Sequence, residues 1–313
     1  MTNRDTLKFT AHNGSDVAAD FVFAHPSLLE SPAVDDSQMT LYVHGLGESI
    51  DTVAAATQRL ADASGAPAAG FAVEIGPHVR NAQNDVVPLY AEAMAQAVAR
   101  SELFSANVER WRVVGHSVAG ITMGGYLAEN PDRFDTVVFH KTVGLNGAPE
   151  GEETGNIVDV GEQMAGMNPK IIAREGRAMA RRYLGPGQFF ASLQFLRTDR
   201  AEAVDIAKTG MRELMNGVRY GSPSNLLACF GVAEAIDLRA LRRSLVANDK
   251  DVLVVDSLGH DDKVIDFAAA KAAQEPGETH HDVIVHASGH IPVSSKQGLD
   301  ELATVVERTT SAA

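Results

Sequence analysis

Residues 111–125 read WRVVGHSVAGITMGG, and this stretch decides how the rest of the chain is interpreted. It opens with Trp111, Arg112, Val113 and Val114, a short, mainly apolar run suited to a strand buried in a sheet. It turns on Gly115-His116-Ser117-Val118-Ala119-Gly120 and passes directly into a helical pattern. A serine between small residues at a strand-to-helix turn is the pattern of a nucleophile elbow. Such a serine occupies a sparsely populated backbone region, at a cost on the order of 1–3 kcal/mol, and leaves no room for bulky neighbours. In return its hydroxyl stands clear of the sheet, with a helix N-terminus behind it to stabilise negative charge. The pattern is short, and its fifth position is Ala119 rather than glycine, so the surrounding sequence has to support it.

Upstream, residues 6–24 alternate apolar and polar about Asn13-Gly14-Ser15-Asp16, which predicts a β-hairpin. A strand over Met39–Val43 runs into His44-Gly45-Leu46-Gly47-Glu48, and a helix over 51–63 follows with Asp51 as a plausible N-cap. A strand at 70–75 and a helix at 85–101 precede the elbow, and a strand at 134–140 comes after its helix. Strands alternating with helices imply a mostly parallel sheet covered on both faces. From about Gly147 to Asn248 the alternation gives way to helical patterns separated by Gly, Pro and Asp-Arg breaks. Strands return at Asp251–Asp256 and Asp282–His286, and an amphipathic helix spans 295–308. Insertions in α/β folds tend to sit at the C-terminal ends of strands, where ligands bind, so the inserted helices are expected to cap the sheet.

The chain has 313 residues, 45% hydrophobic and 22% charged, enough for a sizeable core without staples. Its single cysteine, Cys229, lies in an apolar run and reads as a buried small hydrophobe. One cysteine excludes an internal disulfide, which suits a reducing compartment. A net charge of −14 argues against binding nucleic acid or an anionic membrane surface by bulk electrostatics. The first residues carry no signal-peptide pattern and no apolar run approaches a membrane span, so a cytoplasmic location is expected.

The informative motifs fall in one order, each at the C-terminal end of an expected strand. They are His44-Gly45-Leu46-Gly47, then Ser117, then Gly259-His260-Asp261-Asp262, then Gly289-His290-Ile291-Pro292. Strand-end residues build the sites of open α/β sheets. On these motifs the chain resembles the α/β-hydrolase fold superfamily, with an inserted all-helical cap. The resemblance implies an α/β fold with a mostly parallel central sheet and helices on both faces. It divides the chain into a first core part at 1–147, a cap at 148–248 and a second core part at 249–313.

The resemblance also implies roles. Ser117 is the nucleophile, His290 the base and Asp262 the acid that orients it, in the chain order Ser, Asp, His. The backbone N–H groups of Leu46 and Val118 form the oxyanion hole. Asp261 and Asp256 compete with Asp262, and His286 competes with His290 but sits within a strand. Some members of the fold carry the acid one strand earlier, but that strand leads here to His140 and Lys141, with no carboxylate before Glu150. His44 is expected to brace its turn and His116 to pack beside the elbow. Glu48 is expected to cap the next helix or to reach into the pocket. Methionines and phenylalanines of the cap, such as Met164, Met167, Phe189 and Phe190, form its own core or an adaptable apolar pocket.

The resemblance thus leads to the expectation of a serine hydrolase of esters or related acyl bonds of a small, apolar substrate, acting without cofactor or metal. Lactones, thioesters and carbon–carbon bonds of diketones are alternative substrates for the same triad. A ligand-binding or signalling role on the same fold is the alternative outside catalysis.

Overall fold

The computed structural model describes residues 2–12, 14, 16–27, 37–45, 48–74, 82–104, 108–145, 238–247, 252–260, 262, 265, 267–272, 281–289, 293 and 295–312. The strands are β1 (Thr2–Thr10), β2 (Asp16–Ala24), β3 (Gln38–Val43), β4 (Ala68–Glu74), β5 (Arg110–His116), β6 (Thr136–His140), β7 (Leu253–Gly259) and β8 (His281–His286). The helices are α1 (Ile50–Ser64), α2 (Ala82–Phe104), α3 (Ala119–Glu129), α4 (Arg239–Ala247), α5 (Phe267–Ala272) and α6 (Lys296–Ala312).

All eight strands join one sheet in the order β1-β2-β4-β3-β5-β6-β7-β8. The β1–β2 and β2–β4 pairs are antiparallel and the others parallel. The expected hairpin is β1–β2, and its turn places Gly14 at φ +79°, with the Gly14 N–H donating to Ala11 O at 2.8 Å.

The register explains why the central strands are apolar throughout. Leu41, Val113, Val137 and Val254 are cross-strand neighbours and belong to one core. One residue further, Tyr42, Val114, Val138 and Val255 form the equivalent row in a second core. The period-2 alternation thus buries both faces. The first core is completed by α2, α3 and α4 through Leu89, Met94, Ile121, Leu127 and Leu245. The second is completed by α1 and α6 through Val53, Leu60, Leu302 and Val306.

Two expectations are corrected. The N-cap of α1 is Ser49, whose side chain accepts the Thr52 N–H at 3.4 Å. Asp51 lies within the first turn, where its charge complements the helix dipole and pairs with Arg4 at 2.7 Å. Strand β7 runs on to Gly259 instead of ending at Asp256, because residues 256–259 keep pairing with β6 or β8. The stretch read as a cap lies outside the described residues up to residue 237. Its last helix, α4, packs on α3 and β7, with the Leu238 N–H donating to Gly144 O at 3.1 Å.

Candidate active site

The parallel strands bring their C-terminal ends to one edge of the sheet, and the elbow stands at its centre. Ser117, directly after β5, has φ +54°, a conformation costly for any residue with a Cβ. Two hydrogen bonds hold it there. Its N–H donates to His140 O at 3.3 Å, and its carbonyl accepts the Val143 N–H at 2.9 Å. The small neighbours are required by space. A Cβ on Gly115 would overlap Met123 Sδ and lie 2.9 Å from Ala119 Cβ. A Cβ on Gly120 would lie 2.5 Å from Val143 O. The alanine at the fifth position of the motif is therefore accommodated by Gly115 opposite it. The contact that demands glycine falls at Gly120. Val118 is the N-cap of α3 and makes no side-chain capping bond.

The turn after β3 is pressed against this elbow. Glu48 N–H donates to Gly45 O at 3.3 Å. A Cβ on Gly45 would meet His116 Nδ1 at 2.7 Å, Glu48 Oε1 at 2.8 Å and Ser117 Cβ at 3.2 Å. His44 braces the turn as expected. Its Nε2 accepts the Val73 N–H at 3.0 Å, so its proton resides on Nδ1, which donates to Gly45 O at 2.8 Å. Burial holds the His44 imidazole below its ordinary pKa, against the nearby Glu48 charge.

Glu48 does not cap α1, whose N-cap is Ser49. It is buried, with Oε2 accepting from Tyr42 Oη at 2.7 Å and Oε1 lying 2.6 Å from His116 Nδ1. Burial alone would raise its pKa. The charge and hydrogen bond of His116, with the Tyr42 hydroxyl, outweigh it and keep the carboxyl below its ordinary value.

Asp262 is buried in the turn after β7; its N–H donates to Gly259 O at 3.2 Å and its Oδ1 accepts the Ile265 N–H at 2.9 Å. Leu46, Asp261 and His290 lie outside the described residues. The loops that carry Asp262 and precede His290 meet at Gly259. A Cβ there would lie 2.6 Å from Ser288 O, 3.2 Å from Gly289 O and 3.3 Å from Asp262 Cβ. The competitors are otherwise engaged. Asp256 forms a buried ion pair with Arg242 of α4. His286 Nε2 lies 2.8 Å from Ser257 Oγ, which is also 2.8 Å from His140 Nδ1. Burial lowers the His286 pKa.

One residue of this edge escaped the sequence reading. Lys141, at the end of β6, is fully buried and bonded to Ser288, Gly289 and Glu301. The available signal was a lysine within an otherwise uncharged stretch, 136–145. Among the described residues no group of three or more His, Cys, Asp or Glu side chains is placed to hold a metal ion. No described helix is long and apolar enough to cross a membrane.

No protein-family model matches the chain, and no curated protein sequence does. Solved structures do. The chain is similar to a bromoperoxidase from Bacillus anthracis, with 14% identity, a TM-score of 0.63 and coverage of 99% of this chain and 100% of that one. It is similar to a thermophilic esterase from Thermogutta terrifontis, with 16% identity, a TM-score of 0.59 and coverage of 98% of each chain. It is also similar to a putative aryl esterase from Burkholderia cenocepacia, with 16% identity, a TM-score of 0.56 and coverage of 99% and 100%. The chain has the α/β-hydrolase fold.

Proposed function

We propose that this protein is a serine hydrolase that cleaves a carboxylic ester, or a related acyl bond, of a small apolar molecule through an acyl-enzyme on Ser117. The observation that carries the reading is the backbone of Ser117. A non-glycine residue is held at φ +54° at a strand end, with small residues cleared around it and an uncapped helix N-terminus behind it. Strain of this kind persists where the surrounding structure over-determines it, and it clusters at catalytic positions.

In this reading Ser117 Oγ attacks the acyl carbon while His290 takes its proton. Asp262 fixes the tautomer of His290 and stabilises the imidazolium. The N–H groups of Leu46 and Val118 receive the oxyanion, each worth roughly 3–4 kcal/mol in the transition state. His290 returns the proton to the leaving alkoxide, and water then releases the acid by the same steps in reverse. Support for the pairing of Asp262 with His290 comes from the contact of their loops at Gly259. Support for Leu46 comes from the packing of Gly45 on Ser117. The segment 148–248 is assigned as a cap over this edge and the source of the apolar pocket. The single cysteine and the acidic charge suit a cytoplasmic protein that binds no nucleic acid.

The test is covalent labelling with a fluorophosphonate, together with turnover of p-nitrophenyl esters, lactones, thioesters and diketones side by side. The reading expects the label on Ser117, ester turnover in the wild type and none in Ser117→Ala. An unlabelled Ser117, or an alanine variant that keeps esterase activity, rejects it.

A further inference from the structure

Lys141 shares the left-handed backbone of the elbow serine; among the described residues these are the two non-glycine positions with positive φ, +48° and +54°. They follow neighbouring strands and are joined by a single peptide unit. The carbonyl of His140 accepts the Ser117 N–H at 3.3 Å, and the N–H of Lys141, the other half of that unit, donates to Ser257 O at 2.7 Å. The elbow and β7 are therefore tied to the same rigid plane.

The Lys141 side chain is 0% exposed. An ammonium group has three donors, and each has an acceptor here: Ser288 Oγ at 2.8 Å, Gly289 O at 2.8 Å and Glu301 Oε2 at 2.6 Å. Glu301, on α6, is held in turn by Gln297 Nε2 at 3.1 Å on its other oxygen. A buried, strained lysine is a poor choice for stability alone, since an apolar residue of similar volume would avoid desolvating both charges. What the lysine adds is direction. The Gly289 carbonyl is half of the peptide bond to His290, so holding that oxygen fixes the plane from which residue 290 departs. The start of the same loop is held through His286 and Ser257.

We propose that Lys141 is a positioning residue for catalysis, setting the orientation of His290 through the Gly289 carbonyl, with Glu301 as its counter-ion. This rests on the assignment of Ser117 and His290 as nucleophile and base. The residue acts at the end of β6, where some members of the fold carry the acid.

The test compares wild type, Lys141→Met/Glu301→Leu and Ser288→Ala. The double variant removes the ion pair as a unit and leaves no unpaired charge. Each protein is measured for melting temperature, kcat and KM on a p-nitrophenyl ester, and the rate of fluorophosphonate labelling of Ser117. The proposal expects a double variant that folds, with KM within about twofold and with kcat and labelling rate down roughly 10²-fold, as for a misplaced catalytic group. Ser288→Ala, which removes one acceptor and no charge, falls between it and wild type. A double variant with kcat and labelling within twofold of wild type overturns the proposal, as does a fall in kcat that only tracks a fall in melting temperature. A wild type that fails to label at Ser117 rejects the underlying assignment instead, so the two failures are distinct.

Discussion

The carboxylate of Glu48 lies 2.6 Å from His116 Nδ1, so the turn after β3 and the residue before the elbow serine are joined by one buried hydrogen bond. Breaking it by Glu48→Ala removes the buried partner that His116 Nδ1 and the Tyr42 hydroxyl share, at a cost of about 1–3 kcal/mol for each lost bond. The same change loosens Gly45 from Ser117, so kcat falls as well. The folded-state pKa of Glu48 is below its ordinary value of 4.5. Its stabilisation is therefore fully present above pH 4.5 and lost as pH falls below that value toward the folded pKa. Urea unfolding from neutral pH down to about 3 should fall less steeply in Glu48→Gln than in wild type.

The strain at Ser117 predicts opposite effects of its two smallest replacements. Glycine adopts φ +54° without penalty, whereas alanine keeps the Cβ and loses the hydroxyl. Both variants are expected to be inactive, and Ser117→Gly to melt above Ser117→Ala by the equivalent of about 1 kcal/mol. Differential scanning calorimetry of the pair decides this.

Asp262 and Asp256 are expected to separate stability from activity. Asp262→Asn keeps the size of the side chain and is expected to lower kcat by roughly 10³–10⁴-fold with little change in melting temperature. Asp256→Ala leaves Arg242 buried without its carboxylate and is expected to destabilise the fold by about 3–5 kcal/mol. Its residual folded fraction, counted by active-site titration, should turn over at nearly the wild-type rate. The opposite pattern would transfer the acid role to Asp256.

His44 and His286 are expected to stay neutral below the pH at which free histidine protonates. Burial lowers both from 6.5, so the folded state resists the protons that the unfolded chain accepts. The associated stability is complete above pH 6.5 and declines as pH falls below it. Long-range proton–nitrogen NMR spectra should give titration midpoints under 6.5 for both rings and should show His44 as the Nδ1–H tautomer.

The strand-end placement of Ser117 and Asp262 was legible because parallel strands buried on both faces are written as unbroken apolar runs, and Val113-Val114, Val137-Val138 and Val254-Val255 are such runs. Local signals failed where distant contacts decide. The expected strand stopped at Asp256, yet pairing with β6 and β8 keeps Ser257 and pairing with β8 keeps Gly259 in strand. Asp51 and Ser49 are both good caps, and only the chain's entry into α1 selects Ser49. Glu48 drew notice from its position, but its partners come from two separate strands. Lys141 was passed over because a carboxylate was sought there, and its side-chain acceptors lie 147 or more positions further along the chain.

That separation has a consequence for biosynthesis. When the ribosome has delivered β1 to β6, the Lys141 ammonium has none of its acceptors, because residues 288, 289 and 301 are still to be translated. Burying that cation before they arrive would leave it without a counter-charge, so this edge of β6 is expected to close only when α6 docks. On the proposed role of Lys141, a product truncated before residue 288 is expected to carry the strained backbone of Ser117 without that tether.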